Sequence, residues 1–164
     1  MICLKVILIN GGPHKDGCTN LALEEIAKTL EKAKEADGFV FGSPVHFAAA
    51  SGTLTSFLDR VFYGRGKLFA GKISASVVSC RRGGATAAFD QINKYALMSN
   101  MYVVGSSYWN QIHGTNKEEA GKDLEGLQTM RNLGRNIAFL LNSKKKANLE
   151  KPELENSIKT NFIH

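Results

Sequence analysis

The residues best placed to do chemistry lie in Asn10-Gly11-Gly12-Pro13-His14-Lys15-Asp16-Gly17-Cys18-Thr19-Asn20, where an apolar stretch gives way to a helical pattern. A glycine-rich turn lets backbone N–H groups converge, and a helix start adds the positive end of its dipole. Thr19 is the cap that this pattern predicts. Such a turn suits a phosphate, and it equally suits an ordinary strand-to-helix turn with a threonine cap. Gly12 and Gly17 have the spacing of the nucleoside-triphosphate loop, but Cys18 stands at its lysine position. No charge is then present to hold β- and γ-phosphates. The segment also lacks GxGxxG, which argues against a dinucleotide turn. A monophosphate bound by neutral backbone and hydroxyl donors fits better, and FMN carries one.

Two further segments sit at corresponding places. Ala36-Asp37-Gly38-Phe39-Val40-Phe41 leads into Gly42-Ser43-Pro44-Val45-His46-Phe47, read as a buried strand ending in a Gly-Ser-Pro turn. His46 and Phe47 are then candidates to flank a planar ring; a core Phe47 and a surface His46 would look the same in sequence. Val77-Val78-Ser79-Cys80 leads into Arg81-Arg82-Gly83-Gly84, two arginines and two glycines suited to an anionic or carbonyl-rich ligand. Cys80 reads as a packed residue near the ligand, and Tyr108 and Trp109 as either core or a cap on the pocket.

These loops need elements to hold them. Val6–Ile9, Phe39–Phe41, Ala75–Val78 and Met101–Val104 are short apolar runs that read as strands covered on both faces. Helical patterns occupy Thr19–Ala36, with Leu23, Ile26, Ala27 and Leu30 on one face, then Thr53–Phe62, Gly84–Ser99 and about Lys117–Asn142. Strand alternating with helix predicts a parallel α/β sheet, and ligands of open α/β sheets bind at the carboxyl edge of the strands. One domain is expected over 1–141, followed by a polar, lysine-rich tail over 142–164.

Composition narrows the class. The 164 residues are 43% hydrophobic and 22% charged with 3 prolines, which excludes disordered and low-complexity chains. No apolar run approaches the ~20 residues of a membrane span. Ile2–Ile9 is too short for a signal-peptide core, so an intracellular, cytoplasmic chain is expected. Cys3, Cys18 and Cys80 lack zinc-site spacing and are too few for a four-cysteine cluster, so no metal is expected. The net charge of +6 comes from scattered lysines and arginines, several of them late in the chain (Lys144, Lys145, Lys146, Lys151, Lys159). That is not the stripe a nucleic acid needs. It would attract anionic small molecules instead.

Taken together, three ordered motifs resemble the flavodoxin-like NAD(P)H-dependent FMN reductases, a family close to the iron–sulfur flavoproteins. They are Asn10–His14 with Gly17–Asn20, Ala36–Phe47 continuing through Ser51-Gly52 and Phe57-Leu58-Asp59-Arg60, and Arg81–Gly84. The resemblance runs from about Lys5 to Leu141. It implies a doubly wound parallel sheet in three layers, α/β/α. It implies that Gly12, Pro13, His14, Gly17, Cys18, Thr19 and Asn20 surround the FMN phosphate. Pro44, Val45, His46 and Phe47 would pack beside the isoalloxazine, with Ser79, Arg81, Arg82 and Gly83 along its pyrimidine or phosphate side. The two arginines would tune the flavin electrostatically, and no side chain would act as a nucleophile. NADPH or NADH would be the donor and a quinone, free flavin or similar small molecule the acceptor. A homodimer or tetramer is implied, with Phe62, Lys67 and Phe69 near its interface.

The chain departs from the family pattern in four places. Gly12 replaces a serine, Cys18 an asparagine and His46 a tyrosine. More consequentially, the usual second strand and helix have no counterpart between Glu31 and Lys34. A strand–crossover unit occupies about 30 residues or more. A first helix joined directly to the next strand, with the crossover kept right-handed, would lie on the opposite face of the sheet. Either the fold is rewired in that way, or a stretch of the molecule is absent from this sequence, the alternative favoured here. Two rival functions remain at this level: a flavodoxin-type electron carrier, and a basic nucleotide- or nucleic-acid-binding module.

Overall fold

The computed structural model describes residues 5–30, 38–148, 150, 152–155 and 158–160. Cys3, Lys151, the segment 31–37 with its strand–helix question, and the side chains of Ala27 and Leu30 lie outside the described residues. The chain runs β1 (Val6–Asn10), α1 (Cys18–Leu30), β2 (Gly38–His46), β3 (Ala49–Ala50), α2 (Gly52–Arg65), a 3-10 turn (Gly66–Phe69) and β4 (Ile73–Cys80). It continues with α3 (Ala85–Met98), β5 (Tyr102–Val103), β6 (Gln111–His113), α4 (Lys117–Ala120) and α5 (Leu124–Ala147). β1, β2 and β4 are neighbours in that order and parallel, and both β5 and β6 pair with β4 on its far side. All eight residues of β4 are buried, as a central strand requires. The doubly wound parallel sheet in three layers is confirmed.

Alternate strand residues feed two cores. Val40, Ala75 and Val77 pack with Ala22, Leu23 and Ile26 of α1 and Met130, Leu133 and Ile137 of α5. Phe41 and Val78 pack with Leu54 and Leu58 of α2 and Ala88 and Ile92 of α3. Each fully buried Leu or Ile stabilises the fold by about 1.5–3 kcal/mol. On the second face Phe62 and Phe69 stack on each other at 4.7 Å, with Phe39 and Phe41 edge-on to them.

The layers carry a topological consequence. β1 to β2, β2 to β4 and β4 to β5 all step in the same direction across the sheet. The helix of the first step, α1, lies on one face, while α2 and α3 of the other steps lie on the opposite face. The unit β1-α1-β2 therefore has the opposite hand to the other two. Since about 98% of such crossovers are right-handed, α1 is placed for a following strand on the outer side of β1. The rewired arrangement would have put α1 with α2 and α3; it is found with α5. Ile7, in the middle of β1 on the α2 side of the sheet, is correspondingly 50% exposed.

Element boundaries differ from expectation in three places. Gly42-Ser43-Pro44 does not turn; β2 runs on to His46, paired with β4 as far as Pro44 opposite Ser79. The reversal comes at Phe47–Ala48, both at positive φ, and leads into β3. The fourth strand is interrupted, with β6 resuming the pairing begun by β5. The last helix breaks at Gly121–Asp123 into α4 and α5, because the Asp123 carboxylate accepts from Gly126 N–H (2.9 Å) and starts a new helix.

Candidate functional site

Four loops meet at the carboxyl edge of the sheet, following β1, β2, β4 and β6. They enclose an open cavity of about 790 Å³. Its wall holds Gly12, Pro13, His14, Asp16, Gly17, Cys18 and Thr19 from the first loop and α1; Pro44, Val45 and His46 from β2; Ser79, Cys80 and Arg81; and Gly114 through Glu118. An apolar cleft of about 900 Å³ between α2 and α3 is larger but lies away from these loops.

Short hydrogen bonds between serines and backbone fix the first two loops to each other. Gly11 N–H donates to the Gly42 carbonyl at 2.7 Å, and Ser51 Oγ donates to the Gly11 carbonyl at 2.7 Å. Ser51 N–H in turn donates to Ser43 Oγ at 2.8 Å, and Ser51 Oγ caps α2 by accepting from Leu54 N–H. A Cβ on Gly11 would stand 2.7 Å from Leu54 Cβ, so the first loop reaches this position only as glycine. Gly42 is equally confined, its virtual Cβ 2.9 Å from Leu23 and Thr19 atoms of α1.

Thr19 does not cap α1. Gly17 takes that place, its carbonyl accepting from Leu21 N–H at 3.1 Å. The Thr19 hydroxyl instead meets Ser79 Oγ at 2.8 Å in a buried contact that joins α1 to β4. The Asn20 amide is turned to Glu24, 2.6 Å away. Among the described residues no side chain accepts from the first-turn N–H groups of α1, which are therefore open to solvent or a ligand.

The fourth loop escaped the sequence reading. Gly114 N–H donates to the Cys80 carbonyl at 3.1 Å, and Cys18 Sγ donates to the Gly114 carbonyl at 3.5 Å, so this loop bridges the first and third. Its signal was present as Asn116-x-x-Glu119, a capping pattern. Asn116 Oδ1 accepts from Glu119 N–H at 2.9 Å, and Glu119 Oε2 accepts from Thr115 N–H at 2.8 Å. The Thr115 contact holds the Glu119 carboxyl below its ordinary pKa.

Of the residues singled out in sequence, Asn20, Phe47, Arg82 and Gly83 stand outside the cavity wall. Phe47 is fully exposed at the tip of the β2–β3 turn. That tip rests on Gly84, whose virtual Cβ would stand 2.8 Å from Ala48 Cα; Gly84 itself is left-handed at φ +84°. Tyr108 and Trp109 line a separate small cavity with His113 and Asp123. Burial pushes the Cys18 and Cys80 thiols above their ordinary pKa, Cys80 further by Asp123. Both are therefore protonated near neutrality and poor nucleophiles.

This donor set fits a flavin mononucleotide: neutral N–H groups at a helix start, glycines that keep the cradle open, and one arginine in the opposite wall. The NADPH-dependent FMN reductase profile matches residues 24–116. An iron–sulfur flavoprotein of Methanocaldococcus jannaschii is 33% identical over 132 residues, covering 76% of this chain and 68% of that relative. The chain belongs to the NADPH-dependent FMN reductase family, a class of flavin-dependent oxidoreductases. Among solved structures, a flavodoxin described as a WrbA-like protein of Agrobacterium tumefaciens superposes with TM-score 0.68 at 16% identity, covering 84% of this chain and 96% of that one. An archaeal flavodoxin superposes with TM-score 0.67 at 19% identity, covering 85% and 99%. These two likenesses establish a flavodoxin-like fold. Among the described residues no helix is long and apolar enough to cross a membrane, and no group of three or more His, Cys, Asp or Glu is placed to hold a metal ion.

Proposed function

We propose that this chain is an FMN-dependent oxidoreductase that takes hydride from NADPH or NADH and delivers electrons to a quinone, free flavin or similar small acceptor. The supporting observation is the cavity built by four loops at the carboxyl edge of the sheet, in a chain of this family. Gly12, Pro13, His14, Gly17, Cys18 and Thr19 would hold the phosphate, Pro44, Val45 and His46 the ring, and Ser79 and Arg81 its pyrimidine side. Bound FMN supplies the redox chemistry.

The chain's own part is position and charge. The Ser43–Ser51–Gly11 hydrogen bonds hold the phosphate and ring loops at a set separation. Arg81 places a cation in the wall, where it favours negative charge on the reduced ring. With both cavity thiols protonated, no side chain is called on as a nucleophile. The proposal includes a homodimer or tetramer working in the cytoplasm.

An absorption spectrum of the purified protein, taken before and after NADPH without air, tests this. Flavin bands that bleach are expected. Flavin bands that persist would favour an electron carrier, and a colourless protein that takes up no added FMN would overturn the flavin assignment.

A further inference from the structure

The first loop lacks the lysine that triphosphate loops carry, with Cys18 in its place. Folding brings in Lys117, 101 positions beyond Asp16. Lys117 Nζ lies 3.2 Å from Asp16 Oδ1 and 4.0 Å from Glu24 Oε2. Asp16 precedes α1 and Glu24 lies in its second turn, so the ammonium rests alongside the first turn between them. Lys117 and Asp16 share the cavity wall with Gly12, Gly17 and Thr19.

We propose that Lys117 is the cation of the phosphate subsite, paired with Asp16 until a phosphate takes its place, and that it sets a preference for phosphorylated flavin over riboflavin. This rests on the FMN assignment above and adds a residue to it. Asp16 and Glu118 are carboxylates in the same wall, and a phosphate among them needs a compensating positive charge. A lysine is a compact charge on a flexible stem, so its ammonium passes from carboxylate to phosphate by side-chain rotation alone. The exchange costs little. Asp16 is 84% exposed, and ion pairs that open to water contribute little to stability. The first-turn N–H groups of α1 supply direction, and Lys117 supplies a charge within the wall, which the loop's own Lys15 does not line.

The test compares FMN and riboflavin affinities of the flavin-free protein, as wild type, Lys117→Gln and Asp16→Asn, with thermal midpoints alongside. Lys117→Gln is expected to weaken FMN by about tenfold or more and leave riboflavin unchanged, the size of one lost charge-assisted contact. Asp16→Asn is expected to match or exceed wild type for FMN. Equal losses for both flavins, or no loss for either, would overturn the role of Lys117 while leaving the flavin site intact. A change in thermal midpoint with an unchanged FMN-to-riboflavin ratio would make Lys117 a structural clamp between α4 and α1, which also overturns it. A wild-type protein that binds neither flavin would remove the proposal together with the FMN assignment.

Discussion

Tyr95 shows how one side chain on the second face acquires a measurable signature. Its hydroxyl donates to Asp59 Oδ1 at 2.5 Å, bridging α3 and α2. Burial first, and the Asp59 carboxylate second, push its pKa up to about 12. An unfolded tyrosine titrates near 10. The folded value is the higher one, so the stabilisation is fully present below about pH 10 and is lost as pH rises through about 12. Wild type should therefore lose its denaturant-midpoint advantage over Tyr95→Phe between pH 9.5 and pH 12, on the order of those two values. Denaturation curves across that range check it, and Asp59→Asn should shift the loss toward pH 10. An advantage that stays flat with pH would mean the contact does not govern Tyr95.

Helix starts decide where the second half of the chain turns. The periodicity of Leu124, Leu127, Met130, Leu133 and Ile137 was legible, but the break before it was not. Asp123 both caps α5 and accepts from His113 N–H at 2.7 Å, which ties the helix to β6. A capping aspartate two residues after a glycine resembles ordinary helix interior until its partners are known. Asp123→Ala should cost about 1–2 kcal/mol, the upper range for a lost cap. Thermal or chemical denaturation measures this, and Asp123→Ser should recover part of the loss. A change below a few tenths would show that α5 starts without it. β6 was hidden for a different reason. Gln-Ile-His has no apolar run, and only its pairing with β4 makes it a strand.

Across the whole molecule, the opposite hand of β1-α1-β2 leaves β1 at an edge. Gly38 N–H donates to the Lys5 carbonyl, and Gly11 N–H to the Gly42 carbonyl. In a parallel ladder those contacts assign the backbone groups of Ile7 and Ile9 to β2, and those of Val6, Leu8 and Asn10 to the open side. Hydrogen exchange should therefore find Val6 and Leu8 amides much less protected than Ile7 and Ile9. Equal protection along β1 would mean that another strand covers this edge in solution, as the placement of α1 anticipates. An uncovered edge is also a site of unwanted pairing between copies.

Local pattern alone determined the α/β class, four strand positions and three of the four cavity loops, because glycine turns and apolar periodicity are properties of neighbouring residues. The missing strand–helix unit was also visible there, as a shortage of residues. Only tertiary structure decided that Thr19 serves Ser79 instead of a cap, that Phe47 is fully exposed at a turn, and that Lys117 lies beside the first loop. Each of these depends on which distant residue arrives at a given place. Burial and strand pairing set that, and no spacing along the chain records it.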